Sequence, residues 1–177
     1  MKKFLALLCS LLLLTAAAAS AESAPVVEFN GLQLGGTLPE GYTFFQISRS
    51  ESALEGEFRS GDPAAPVLKV YIAAAEAYAG KESLKDLDDE TLAIIKQGFS
   101  DENTVSFDTL DTASGISLLV IREIGSDQDF VDFYTVSRGC EIELTLCASA
   151  GSSVRTLTEE QITRCTELMR SLTILGN

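Results

Sequence analysis

Among the groups that could do chemistry, the most informative is one that is missing: the chain has no histidine. That removes Ser-His-Asp and Cys-His nucleophilic arrangements. It also removes the commonest zinc ligand and the usual neutral-pH general base. Cysteine offers little in exchange. The three cysteines beyond the first 21 residues stand at 140, 147 and 165, a spacing that fits no zinc ribbon or finger, and no C-x-x-C occurs. In a disulfide-permissive compartment one bridge can form, and Cys140 with Cys165 is the pair to test, since both fall on apolar faces. The preferred reading is that they are small buried hydrophobes. There is no G-x-S-x-G elbow, phosphate-binding loop, G-x-G-x-x-G turn or S-x-x-K motif.

Carboxylates are plentiful, at 26. Asp127, Asp129 and Asp132 lie in or beside one turn and are weak calcium candidates, the metal best suited to an extracellular setting. Their spacing departs from an EF-hand, which needs a ligand where Val131 sits, and turn chemistry explains them better. Glu141 and Glu143 point the same way on one strand, as a glycosidase pair could. Sugar clefts commonly use aromatic platforms, however, and the chain has no tryptophan. A solvated strand face is the simpler account. Asp86, Asp88, Asp89 and Glu90 crowd the start of a helix, where the backbone dipole favours negative charge. No catalytic residue, cofactor or metal set is expected.

The elements that carry these groups can be read from periodicity. VVEFNGLQL reads as two short strands around Asn30-Gly31, a hairpin dipeptide. LPEGY is a turn leading into FFQI; strands follow at 53–60 and in VLKVYIAAA. A helix is expected from an N-cap at Ser83 to about Gly98, with Leu84, Leu87, Leu92, Ile94, Ile95 and Phe99 on one apolar arc. ISLLVIREI is apolar on both faces and so expected at the centre of a sheet. It continues into DFVDFYTV and CEIELTLCA as an antiparallel meander. A last helix begins at a capping box, Thr158 with Gln161, stapled by Leu157 and Ile162. Its stripe of Ile162, Cys165, Leu168, Met169 and Leu172 should pack on the sheet face that carries Leu144. The class implied is α+β: an antiparallel sheet of about six strands with two main helices packed on it.

The N-terminus carries an address. Lys2 and Lys3 precede an apolar run from Phe4 to Leu14, then small residues lead to Ala21. Cleavage between Ala21 and Glu22 is expected, making 1–21 a signal peptide and 22–177 a single domain. The apolar run is shorter than the ~20 residues of a membrane span, and Leu8 before Cys9 argues against lipidation. Cleavage would take the 13 basic residues to 11 against 26 acidic ones, and the net charge from −13 to −15. Such a balance repels nucleic acid and anionic membranes. The expected location is secreted, periplasmic or otherwise extracytoplasmic, with no membrane insertion after cleavage.

From LPEGY through SLKDLDDETLAIIKQGF and the Gly115-led strand to the SLTIL ending, the order of motifs resembles the PsbP-like fold. That fold is shared by the extrinsic photosystem protein, a Ran-GTPase-binding protein and exported bacterial proteins of the DcrB type. Tyr42 stands where tryptophan is common. The resemblance implies an α/β/α sandwich and a binding or accessory role, with no catalytic residues to carry over. The functions to weigh are therefore, in order, an accessory domain that binds a protein partner at the envelope, a small-ligand or calcium-binding module, and a carboxylate hydrolase.

Overall fold

The structure is a computed structural model that describes residues 27–125, 128–149 and 155–176. Ala21, Glu22 and Asp127 lie outside the described residues. Ten strands run in the order β1 (Val27–Phe29), β2 (Leu32–Gly35), β3 (Tyr42–Arg49), β4 (Ala53–Ser60), β5 (Val67–Ala74), β6 (Thr104–Asp111), β7 (Ser117–Ile124), β8 (Asp129–Ser137), β9 (Cys140–Cys147) and β10 (Thr173–Gly176). Helix α1 (Asp89–Gly98) lies between β5 and β6, and α2 (Glu159–Met169) between β9 and β10.

Seven strands form one antiparallel sheet ordered β3-β4-β5-β9-β8-β7-β6, one strand more than expected. Two meanders build it, and the pairing of β5 with β9 joins them. The expected central strand, β7, is one place in from the edge. Both of its faces are apolar because helix covers one and the main core the other. A smaller sheet, β1-β2-β10, was only half foreseen. Its hairpin turns at Asn30 and Gly31, both at positive φ (49° and 80°), as Asn-Gly favours. Its third strand is the TIL that follows α2, too short to show a period.

Strand alternation divides the apolar residues between two cores. Leu118, Val131, Phe133, Ile142, Leu144 and Leu146 face one side, with Cys165 and Met169 of α2 and with Phe29 and Leu32 of the small sheet. Leu119, Ile121, Tyr134 and Val136 face the other, against Ile95, Leu92 and Phe99 from α1 and its C-terminal end. The helices therefore lie on opposite faces, and α2 packs where Leu144 points, as expected. Each fully buried large side chain contributes about 1.5–3 kcal/mol.

The capping box of α2 forms as read: the Thr158 hydroxyl accepts from Gln161 N–H, and Gln161 accepts in return from Thr158 N–H. The helix expected from Ser83 is instead two pieces. Ser83 caps a single 3-10 turn, Leu84–Asp86, and Leu87 is extended. A second cap at Asp88, accepting from Thr91 N–H at 2.7 Å, starts α1.

Gly56 in β4 leaves room for an aromatic side chain of the neighbouring strand. A Cβ there would collide with the Phe44 ring and come within 3.0 Å of the Phe45 carbonyl oxygen. The Phe44 ring in turn stands 5.1 Å from that of Phe58. Gly56→Ala is therefore expected to cost about 1–3 kcal/mol. Combining it with Phe44→Leu should cost less than the two separate losses added together, because the collision is shared. Urea unfolding of the four proteins in the cycle tests this, and strict additivity would rule out the ring as the cause.

Candidate functional site

Helix α1 covers the sheet only over β6, β7 and β8. A 3-10 turn, Glu76–Tyr78, lies against the start of β9, and beyond it the same face continues without a helix across β5, β4 and β3. Register lines its side chains into rows. One row reads Phe45, Glu57, Lys69, Thr145, Asp132, Ile121 from β3 to β7. The next reads Ser48, Glu55, Tyr71, Glu143, Tyr134, Leu119. The apolar ends of both rows lie under α1; of the rest, Phe45, Ser48, Glu55, Lys69 and Tyr71 are exposed, Thr145 and Glu143 half-buried, and Glu57 and Asp132 buried.

Three large apolar side chains of this region meet solvent: Phe45 at 49%, Ile47 at 61% and Tyr71 at 39% exposure. Ile47 sits at the irregularity between Gln46 and Ser48 in the β3–β4 pairing. The guanidinium of Arg59 lies 5.8 Å from the Phe45 ring centre and also pairs with Glu57, whose side chain is almost wholly buried. Charges on this open face are Glu55, Glu57, Asp132, Glu141 and Glu143 against Arg59 and Lys69, so it is acidic around an aromatic centre.

Asp132 is the unusual group. It is 6% exposed, and burial pushes its carboxyl up to about 7, helped by the charges of Glu143 and Glu123 and opposed by Thr145 and Lys69. The Thr145 hydroxyl lies between two acids and donates to Glu143 Oε1 at 3.1 Å. It has one proton to give, so it cannot serve both carboxylates at once. Burial raises Glu143 and Glu123 as well, with neighbouring acids adding to each. Beside them, the buried Tyr134 hydroxyl donates to Glu141 Oε2 at 3.2 Å.

The candidates read from the sequence divide accordingly. Asp129 and Asp132 are three residues apart in β8, so alternation sends them to opposite faces. Asp129 Oδ2 accepts from Leu157 N–H at 3.2 Å and tethers the start of α2. The calcium set is thus split by the strand, and among the described residues no group of three or more acids or cysteines is placed to hold a metal. Glu141 and Glu143 do share a face. Two carboxyls with raised pKa, the requirement for a hydrolase, are present in Asp132 and Glu143, yet neither lines the cavity beneath α2.

The Cys140–Cys165 bridge does not form: Cys140, Cys147 and Cys165 are free and buried. Cys140 starts β9, whereas Cys165 meets a cavity wall shared with Leu146, six residues along the strand. That is about 20 Å at strand rise, against the ~7 Å limit for bridged Cα atoms. Cys147 faces away from both.

The cavity, of about 370 Å³, lies on the α2 side of the sheet. Phe58, Leu68, Leu146, Leu168 and Met169 form its walls, and the LPEGY turn (Leu38–Tyr42) its lip. Arg164, Asp62 and Glu40 also line it, and the Tyr42 hydroxyl donates to Pro66 O at 2.7 Å. Its residues come from positions 37 to 169, a grouping no local pattern could announce.

No family model matches the chain, and no curated protein does. A solved structure similar to it is the solution structure of cyanobacterial PsbP (CyanoP) from Synechocystis sp. PCC 6803. The two are 15% identical, with a TM-score of 0.48, over 88% of this chain and 99% of that one. The fold itself is α+β, a large antiparallel sheet with one helix on each face. No described helix is long and apolar enough to cross a membrane.

Proposed function

We propose that the chain is an exported, non-catalytic accessory domain that docks through the open half of its sheet onto a protein partner. The partner's surface would present basic groups around an apolar patch. The observation that carries this reading is the exposed trio Phe45, Ile47 and Tyr71 on a sheet region no helix covers. Aromatic side chains ringed by charge are the usual anchors of protein interfaces. The excess of acids over Arg59 and Lys69 on that face sets the expected charge of the other side.

The chain, immobilised, should capture a saturable envelope or secreted partner that free domain displaces. A Phe45→Ala/Tyr71→Ala double variant should weaken that capture at least tenfold, since interface anchors contribute about 2 kcal/mol or more each. Moderate salt should slow association without abolishing it. Equal capture by the double variant, or nothing saturable, would defeat the reading. Export is checked separately by sequencing the N-terminus of the released protein, which should begin at Glu22.

A further inference from the structure

The cavity under α2 is on the face opposite the proposed docking surface, so it is independent of that reading. It shares Leu38, Phe58, Leu68, Leu168 and Met169 with a neighbouring smaller void of about 30 Å³. Val27, Leu34, Leu144 and Leu172, with Gly35 and Gly36, complete the lining of this second void, which has no charged group. The charged groups of the lining, Glu40, Asp62 and Arg164, are exposed and belong to the larger chamber only, whereas the smaller void is lined by apolar residues, glycine and Thr37. The larger chamber falls at the lower end of the ~300–1,000 Å³ range of small-molecule sites.

The mouth carries both signs of charge. Arg164 is exposed and makes no ion pair or hydrogen bond with a described residue, although its charge reaches Tyr42. Asp62 uses one carboxylate oxygen to hold Ala64 N–H at 2.9 Å, leaving the other free, and Glu40 is exposed. A simple anion would meet Arg164 but also the two acids and a chain of net charge −13. A simple cation would leave Arg164 unanswered and bring a like charge beside it. A head group with an anionic and a cationic centre satisfies both sides and is not repelled at long range.

We infer that this cavity is a binding site for a single-chain zwitterionic amphiphile, its acyl or alkyl chain running inward past Phe58 and Met169 and its anionic centre at Arg164. Burial of the chain supplies the affinity, at about 0.8 kcal/mol per methylene. The mouth supplies the choice of head.

The protein titrated with decylphosphocholine below its micelle-forming concentration, followed by calorimetry, should show saturable one-to-one binding. Decyl sulfate and decyltrimethylammonium, with the same chain, should bind at least tenfold more weakly. Arg164→Gln should weaken decylphosphocholine about tenfold while leaving the fold intact, since Arg164 holds nothing in it. Ala65→Phe, on the loop that walls the cavity, should block binding; circular dichroism would verify that it folds. The inference is overturned by the absence of saturable binding, by equal affinity for the three heads, or by Arg164→Gln binding as the parent does. Partner capture is unaffected by any of these outcomes.

Discussion

Asp132→Asn is expected to stabilise the protein by about 2 kcal/mol at pH 8 and to flatten its stability between pH 4 and 7. Burial holds the folded carboxyl at about 7, above the ordinary 3.8. Between these values the folded state holds the extra proton, so stability falls as pH rises through this window and then levels. The full gap corresponds to about 4 kcal/mol at 1.36 kcal/mol per unit. Asparagine keeps an acceptor for Thr145 but must itself bury an amide, which removes part of the gain. Glu143 and Glu123, also raised, slope the same way. Asp88 and Asp101, lowered by the N–H groups of Thr91 and Asn103, act oppositely and lose their contribution only in stronger acid. The parent should thus be most stable near pH 5. Urea unfolding of both proteins at pH 5 and pH 8 decides the matter: parallel losses in parent and variant would show that Asp132 does not carry the slope.

A carboxyl that weakens the fold at neutral pH is explicable if the face it belongs to has another task. Asp132 borders the open rows beside Lys69 and Glu143. A basic partner seated there would favour its charged form and draw its pKa down. Docking would then release a proton and relieve the strain of an ionised, buried acid. Local weakness of this kind is common where a surface is kept for binding rather than for stability. Under this reading, partner affinity should rise from pH 5 to pH 8 while the free domain loses stability.

Legibility in the sequence followed the range of the interactions. The box Thr158-Gln161 and the alternation of Cys140–Cys147 are local, and both were readable. Ser83 was read correctly as a cap but of the wrong element, because Asp88 five residues later is an equally good cap and Leu87 breaks between them. Asp129 and Asp132 stand beside the Gly125 turn, where aspartate is common, and proximity in sequence alone makes them weak calcium candidates. The strand DFVDFYTV begins at Asp129 in the structure as in the sequence reading, and its alternation alone separates the two carboxylates. That Glu143 and Asp132 are neighbours follows from the β8–β9 register, which the Arg138-Gly139 turn implies and which could have been worked out. Exposure of Phe45 and Tyr71 could not, since it depends on where α1 ends over the sheet. The small sheet joins both ends of the described chain, and nothing within β10 alone reveals it.

That small sheet yields the other large effect. Phe29→Ala should cost about 3–5 kcal/mol, the usual loss for a fully buried aromatic. Phe29 is 0% exposed, packs in the same core as Leu54, Ile72 and Phe133, and has Arg49 over its ring at 5.8 Å. Each kcal/mol shifts the melting temperature of a protein this size by about 2–4 °C, so a fall of roughly 10 °C is expected. Its form matters as much as its size. Val27, Leu32 and Leu34 share that core with β5, β8 and β9, so β1, β2 and β10 have no separate apolar interior. One transition should therefore persist, with amide exchange accelerated throughout the large sheet as well as in β2 and β10. Exchange accelerated only in the three short strands, with the seven-stranded sheet still protected, would show that the chain ends dock as a separable unit. The large core would then have to be complete without them.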